Sequence, residues 1–327
     1  MRAVIITRPG GSEVLEVLDR PTPEPGLGQI RVRVRASALN RADILQREGN
    51  YPVPAGAPAD ISGMEYAGEV DALGQSTTLW EVGDRVMGIV GGGGHAEFLC
   101  VHEREAIPVP KGMSWDEAAA IPEAFLTAYD ALFARLDLRS GETLLIHAVG
   151  SGVGTAAVQL ARVAGARVIG TARTAAKLDR AKQLGLDVAI DASTEDWTSR
   201  LESEIGRNGV QAVLDLVGGN YLDGNLRVVG LRGRIVVVGL TAGSTGQFNM
   251  GVLLRKRLTI VGTVLRARPL EEKIELARAF SERALPLFEA GRLHPVVDRV
   301  FPFAEIRAAH ELMESNRTFG KIVLHWL

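Results

Sequence analysis

Between residues 142 and 264 the chain alternates short apolar runs with amphipathic segments. The runs are ETLLIHA (142–148), ARVIGTA (166–172), DVAID (187–191), QAVLDLV (211–217), GRIVVVGL (233–240) and LTIVGTV (258–264). The intervening segments repeat apolar residues at helical spacing, as in Val153, Ala156, Ala157, Leu160 and Ala164, or Trp197, Leu201 and Ile205. Strands separated by crossover helices must pair in parallel, so the pattern predicts an α/β fold with a doubly wound parallel sheet. Six strands is the full count of a dinucleotide fold. The helical stripes are read as core faces.

Upstream of residue 114 the pattern is different. Ile30, Val32 and Val34 alternate with Arg31, Arg33 and Arg35, which predicts an antiparallel strand with one wet face. PTPEPGLG (21–28), YPVPAGAP (51–58) and VGGGGH (90–95) punctuate the segment as turns, so it is expected to be mostly β. At Ser114 a serine cap and an acidic first turn open a helical stretch, 113–133. After Pro269 come a helix (270–280), the extended 294–303, a second helix (304–316) and a strand (319–326). These residues exceed the six-strand count and are expected to return to the first domain.

Composition narrows the function classes. The 327 residues are more than one typical domain, and 46% apolar with 23% charged residues is a globular balance. Thirty-seven Lys and Arg against 39 Asp and Glu leave a net charge of −2, which gives no general pull toward nucleic acid or anionic membrane. Cys100 is the only cysteine, which excludes an internal disulfide framework and a zinc site built from several thiolates. A reducing, cytoplasmic setting is expected. The uncharged run after Glu142 is not read as a membrane span, because Gly150, Gly152 and Gly154 interrupt it and Ser151, Thr155 and Gln159 are polar. MRAVIITRPGG lacks an apolar stretch long enough for a secretory signal.

The chemistry-bearing turn follows the first parallel strand. Residues 148–154 read AVGSGVG and open a helix, where small residues let the backbone approach a pyrophosphate at the helix start. The motif is not a clean GxGxxG, since Val149 and Ser151 hold the first two glycine positions, and its weight comes from the surrounding strands. A classical NAD site has a carboxylate at the end of the second strand; here the chain reads Thr171-Ala172-Arg173. Arg173 and Lys177, one helical turn apart, are suited to a 2′-phosphate, so NADPH is the expected cofactor. His147, His95 and His310 are read as hydrogen-bonded structural histidines, Asp215 as a turn cap and Cys100 as an inert buried thiol.

Several segments together resemble a known family. SALNRADILQREGNYP (37–52), GMEYAGEV (63–70), VGDRVMG (82–88), AAAIPEAFLTAY (118–129), LLIHAVGSGVGTAAVQLAR (144–162) and NRTFGKIVL (316–324) are similar to the zinc-independent quinone oxidoreductases of the medium-chain dehydrogenase/reductase superfamily. Zeta-crystallin is a relative, and the branch inducible by a tumour suppressor is the one most resembled. The resemblance implies a GroES-like catalytic domain over 1–122, a Rossmann domain over 123–265 and a return to the catalytic domain over 266–327. Zinc-dependent members carry a cysteine where this chain has Asn40, and a histidine in a GHE segment that here reads Gly63-Met64-Glu65. Amide and thioether are poor zinc ligands beside one carboxylate, so no metal is expected.

The resemblance also implies site residues. Asn40, Asp43 and Tyr51 line the substrate side, with the Asn40 amide and the Tyr51 hydroxyl as donors to a carbonyl oxygen. Thr127 contacts the nicotinamide region, while Ser151, Gly152, Val153 and Gly154 hold the pyrophosphate. Gly239, Leu240, Gly262 and Val264 flank the nicotinamide end, and Asn316 and Arg317 close over the site. Relatives often have a tyrosine after the third strand where this chain has Ala192, so the 2′-phosphate contact rests on Arg173 and Lys177. The implied reaction is zinc-independent hydride transfer from NADPH to a quinone by a homodimer paired through its sixth parallel strand. The rival readings are an enoyl or alkenal double-bond reductase and a noncatalytic NADPH-binding or RNA-binding protein.

Overall fold

The computed structural model describes residues 1–193 and 196–326. The strands are β1 (Arg2–Ile6), β2 (Leu15–Asp19), β3 (Gln29–Ala38), β4 (Glu65–Leu73), β5 (Arg85–Ile89), β6 (Phe98–His102), β7 (Ile107–Pro108), β8 (Thr143–Ile146), β9 (Arg167–Ala172), β10 (Val188–Asp191), β11 (Val210–Asp215), β12 (Val229–Val237), β13 (Thr259–Gly262), β14 (Val297–Pro302) and β15 (Lys321–His325). The helices are α1 (Arg41–Arg47), α2 (Trp115–Ala119), α3 (Pro122–Tyr129), α4 (Gly152–Val163), α5 (Ala175–Gln183), α6 (Trp197–Ile205), α7 (Tyr221–Val228), α8 (Met250–Lys256), α9 (Leu270–Arg283), α10 (Leu285–Glu289) and α11 (Ile306–Glu314). Two compact units result, one from Met1–Leu126 with Leu265–Leu327 and one from Thr127–Val264.

The first unit is built on a seven-stranded sheet in the order β14-β15-β3-β4-β5-β7, with β6 pairing β3. Alternation along β3 works as the sequence predicts. Ile30, Val32 and Val34 are buried, and Arg31, Arg33 and Arg35 face carboxylates across the ladder. Gly68 on β4 lies so close to β3 that an added Cβ would stand 2.2 Å from the Arg33 carbonyl oxygen. The last strand, β15, enters beside β3 with Val323 opposite Ala38. Trp326 then stacks on Phe303, with ring centroids 4.5 Å apart, and sends its indole N–H to Ser37 Oγ. The predicted serine cap at Ser114 forms, with Glu117 completing a capping box, but the helical stretch breaks into α2 and α3. Pro122 explains the break: proline lacks the N–H an interior position needs, so it opens α3 instead.

The second unit carries six parallel strands in the order β10-β9-β8-β11-β12-β13. Strand order reverses between β8 and β11, the switch point at whose carboxyl ends open α/β sheets bind ligands. β12 starts at Val229, earlier than the apolar run suggests. Its first residues pair Val210 across a register shift, and Arg232 takes a left-handed φ of 59° in the irregular stretch. Lys256, the middle cation of Arg255-Lys256-Arg257, donates to the carbonyls of Leu226, Arg227 and Val229 and so closes the end of α7. Among the described residues no helix is long and apolar enough to cross a membrane.

Candidate active site

In the second unit the switch-point turn is built around Ser151. Its Oγ accepts the Gly154 N–H at 3.0 Å and donates to the Ala148 carbonyl at 2.8 Å, while its own carbonyl takes the Thr155 N–H. The amides of Gly152 and Val153 therefore remain at the positive end of α4 without an intrahelical acceptor. Gly154 has to be glycine: an added Cβ would lie 2.4 Å from the Ala148 carbonyl oxygen and 2.8 Å from the Val149 Cα. Ala148 holds a left-handed φ of 52° to make the bend. This close-packed turn with two free amides fits a pyrophosphate.

A buried polar chain braces the same strand ends. His147 Nδ1 meets Thr171 Oγ1 at 2.9 Å, and Nε2 meets Asn225 Oδ1 at 2.7 Å. The Asn225 amide donates to Asp215 Oδ2, whose partner oxygen takes the N–H groups of Val217 and Gly218. Burial pulls the His147 imidazole below its ordinary range, against the pull of Asp215 and Asn225, so the ring is neutral at pH 7. Its edge packs on Trp197 and Tyr221, which are stacked on each other. Asp215 is thus the turn cap read from the sequence, and Asn225 is a brace that sequence reasoning missed. Gly239 is pressed against the Leu216 carbonyl, 2.4 Å from where a Cβ would lie.

β9 ends at Ala172, so exposed Arg173 and half-buried Lys177 stand at the opening of α5, whose first turn holds no acidic residue. Asp191, at the end of the neighbouring β10, is turned onto the Ser193 N–H and hydroxyl. Thr127 is buried within α3, whereas Leu240 and Val264 are about half exposed. A side chain at Gly262 would meet open space.

In the first unit a dense buried network surrounds Asn40, Asp43 and Glu65. The Lys321 ammonium, 5% exposed, lies 2.6 Å from Glu65 Oε1, 2.6 Å from Asn40 Oδ1 and 2.7 Å from the Leu39 carbonyl. The Asn40 amide donates to Glu65 Oε1 at 2.8 Å and to the Ala38 carbonyl at 3.4 Å. Glu65 Oε2 takes the Glu123 N–H. Burial pushes the Glu65 carboxyl up, and Lys321, the Glu123 amide and Asn40 pull it back. Asp43 is fully buried and caps α1: one oxygen accepts the Asn40 N–H at 2.7 Å and the other the Gly63 N–H at 3.0 Å. His95, held at about 3 by burial, is neutral and bonds Ser37 through Nδ1.

The resemblance places Asn40, Asp43 and Tyr51 on the substrate side. Asn40 and Asp43 hydrogen-bond to neighbours within the unit, Asp43 fully buried and Asn40 partly so. Tyr51 differs. Its ring sits 5.0 Å from the Arg266 guanidinium, and its hydroxyl is kept protonated by burial and by nearby Glu123. Asn316 and Arg317 follow α11 as exposed residues; Asn316 Oδ1 receives Arg41 and Arg317 Nε reaches Ser315. Cys100 is partly rather than fully buried, and that burial pushes its thiol up to about 11, which leaves it unreactive.

Comparison with known proteins decides the family. Residues 26–111 match the alcohol dehydrogenase GroES-like domain and residues 152–282 the zinc-binding dehydrogenase model. A quinone oxidoreductase of Pseudomonas aeruginosa is 35% identical over 320 residues, covering 96% of both chains. The chain belongs to the medium-chain dehydrogenase/reductase superfamily. It is an α/β oxidoreductase of quinone oxidoreductase type, with a GroES-like domain and a Rossmann-like parallel sheet. Solved structures of members agree: an NAD-dependent alcohol dehydrogenase superimposes with a TM-score of 0.86 at 34% identity over all of both chains. A mycobacterial protein complexed with NADPH gives 0.87 at 30% identity, also over both full chains. An enoyl reductase gives 0.86 at 28% identity over 99% of this chain and 98% of its own.

Proposed function

We propose that this protein is an NADPH-dependent, zinc-independent quinone oxidoreductase. The observation that carries the reading is the saturation of Asn40 and Glu65 by the Lys321 ammonium. The oxygens that could hold a metal there are already satisfied by a fixed cation of the protein itself. Activation of a substrate oxygen then falls to hydrogen-bond donors at the edge of this network, with Tyr51 as the first.

The residues present fit a dinucleotide. Gly152 and Val153 amides, framed by Ser151 and Gly154, suit its pyrophosphate, and Arg173 with Lys177 suits a 2′-phosphate. Thr127, Gly239, Leu240, Gly262 and Val264 are assigned to its nicotinamide end, and Asn316 and Arg317 to a supporting contact. A bound reduced nicotinamide supplies hydride, and the protein supplies position and field. Asn40 and Asp43 act as the frame: Asp43 fixes the start of α1, and Asn40 locks that start to Glu65 and Lys321. The quinone oxygen ends as a hydroquinone hydroxyl once water or Tyr51 gives the proton.

The similarity to an enoyl reductase supports a second reading, reduction of an activated carbon–carbon double bond by the same residues. A nucleic-acid role has less support, because Arg31, Arg33 and Arg35 are each paired with carboxylates. For the assembly we propose a homodimer paired through the edge strand β13, beside which Met250 and Leu254 of α8 are exposed. The deciding experiment is a turnover panel of ortho-quinones, para-quinones, enals and enoyl thioesters with NADPH and NADH. Quinone-dependent oxidation that favours NADPH is expected. Turnover confined to enals or thioesters, or none at all, overturns the assignment.

A further inference from the structure

Six buried polar side-chain atoms among the described residues lack a hydrogen-bond partner: Ser62 Oγ, the Tyr66 hydroxyl, Arg85 Nε, His95 Nε2, His310 Nε2 and Arg266 Nη1. A hydroxyl or neutral imidazole in this position costs little more than one lost bond. An arginine cannot discard its charge, so its orphan is the costly kind. Arg85 covers the loss by stacking its guanidinium 3.9 Å from the Trp115 ring, with Nη2 on the Met113 carbonyl. The orphan there is the recessed Nε.

Arg266 is the reverse case. It is 4% exposed, and its inner face is held rigidly: Nε donates to the Gly91 carbonyl at 2.7 Å and Nη2 to Gln46 Oε1 at 2.6 Å. Only the terminal Nη1 is left over, on the guanidinium that lies 5.0 Å from the Tyr51 ring centroid. Asp43 and Glu123 are close enough to influence it electrostatically, so its charge is partly compensated inside the unit. We infer that Arg266 Nη1, together with the Tyr51 hydroxyl, is the binding site for the carbonyl oxygen of the substrate. This inference rests on the quinone reductase reading above.

The geometry also selects among ligands. A carboxylate or phosphate is gripped best by two parallel guanidinium donors. Here Nε and one N–H of Nη2 are already engaged and Asp43 and Glu123 already offset the charge, so the site suits an acceptor oxygen on a neutral molecule. When hydride adds to the conjugated carbonyl system, the C=O π pair moves onto that oxygen. Arg266, held on its inner face by Gly91 and Gln46, is a fixed donor for that charge. Arg266 gives no proton; that comes from water or Tyr51.

The test uses the full chain, with 4-nitrophenol as a probe of a fixed positive donor. On the wild type, the bound probe is expected to show the phenolate absorbance at a pH below its solution pKa. Arg266→Gln should lose that signal, bind nucleotide as before and lose about 100-fold in quinone turnover. Arg266→Lys should keep part of both. A folded Arg266→Gln with nearly unchanged kcat/KM, or a probe that binds the wild type only as neutral phenol, overturns the proposal. If Arg266→Gln does not fold, the wild-type spectrum decides alone. Wild type that ionises the probe but reduces neither quinone nor enone leaves the oxygen site standing and refutes the reaction assigned to it.

Discussion

Replacing Lys321 by Met isolates a buried and heavily committed charge of the first unit. The ammonium serves three buried acceptors, Glu65 Oε1, Asn40 Oδ1 and the Leu39 carbonyl, all within 2.7 Å. Each lost bond costs about 1 kcal/mol or more, and one-sided removal of a buried ion pair costs about 3 to 5 kcal/mol. A loss of about 3 kcal/mol is therefore expected, enough to move a urea midpoint clearly. The loss should also depend on pH. Burial already pushes the Glu65 carboxyl up, and without Lys321 it rises further above its unfolded value of about 4.3. A folded-state acid with a raised pKa holds more protons than the unfolded chain. Stability therefore falls as pH rises from the unfolded pKa through the folded one. Urea unfolding of the variant, followed by tryptophan fluorescence, should show a deficit that grows from mildly acidic to mildly alkaline buffer. Pairing the change with Glu65→Leu should recover part of it, because two well-packed apolar groups replace a buried pair at little cost. A deficit under about 1 kcal/mol, or one equal at every pH, refutes the reasoning.

Four shorter tests follow. Gly154→Ala forces backbone apart at the start of α4 and should weaken nucleotide binding at least tenfold by fluorescence titration; unchanged affinity removes the turn from the binding site. Lys177→Ala should raise the dissociation constant for NADPH far more than that for NADH, and equal losses refute the phosphate contact. Tyr51→Phe should lower quinone turnover about tenfold or more with little change in nucleotide affinity; identical steady-state kinetics withdraw its hydroxyl from the reaction. Light scattering at micromolar concentration should give twice the 35.0 kDa chain mass, and a monomer contradicts pairing through β13.

The parallel sheet was legible because its strands are near-continuous apolar runs and its helices carry one apolar face. Local signals also gave the cap at Ser114 and the turn at Ser151. Sequence missed what depends on distant neighbours. Lys321 and Glu65 lie near opposite ends of the chain, and only the pairing of β15 with β3 brings their strands together. Asn40 and Asp43 were placed on the substrate side by resemblance alone, and nothing local in the sequence shows the bonds they make to Glu65, Lys321 and Gly63. Arg266 lies in LRAR, a stretch with no pattern to distinguish one arginine from the other. Its significance comes from Gly91 and Gln46, which tie two of its three nitrogens and leave Nη1.

The first unit is assembled from two segments that flank the second, while the second is one uninterrupted stretch. During synthesis the nucleotide-binding sheet has all its strands available well before the ribosome finishes. The other sheet waits for β15, whose first residue is Lys321. Deleting β15 should thus leave a mature Rossmann-like sheet beside a companion in which β3 and β14 have lost the strand between them.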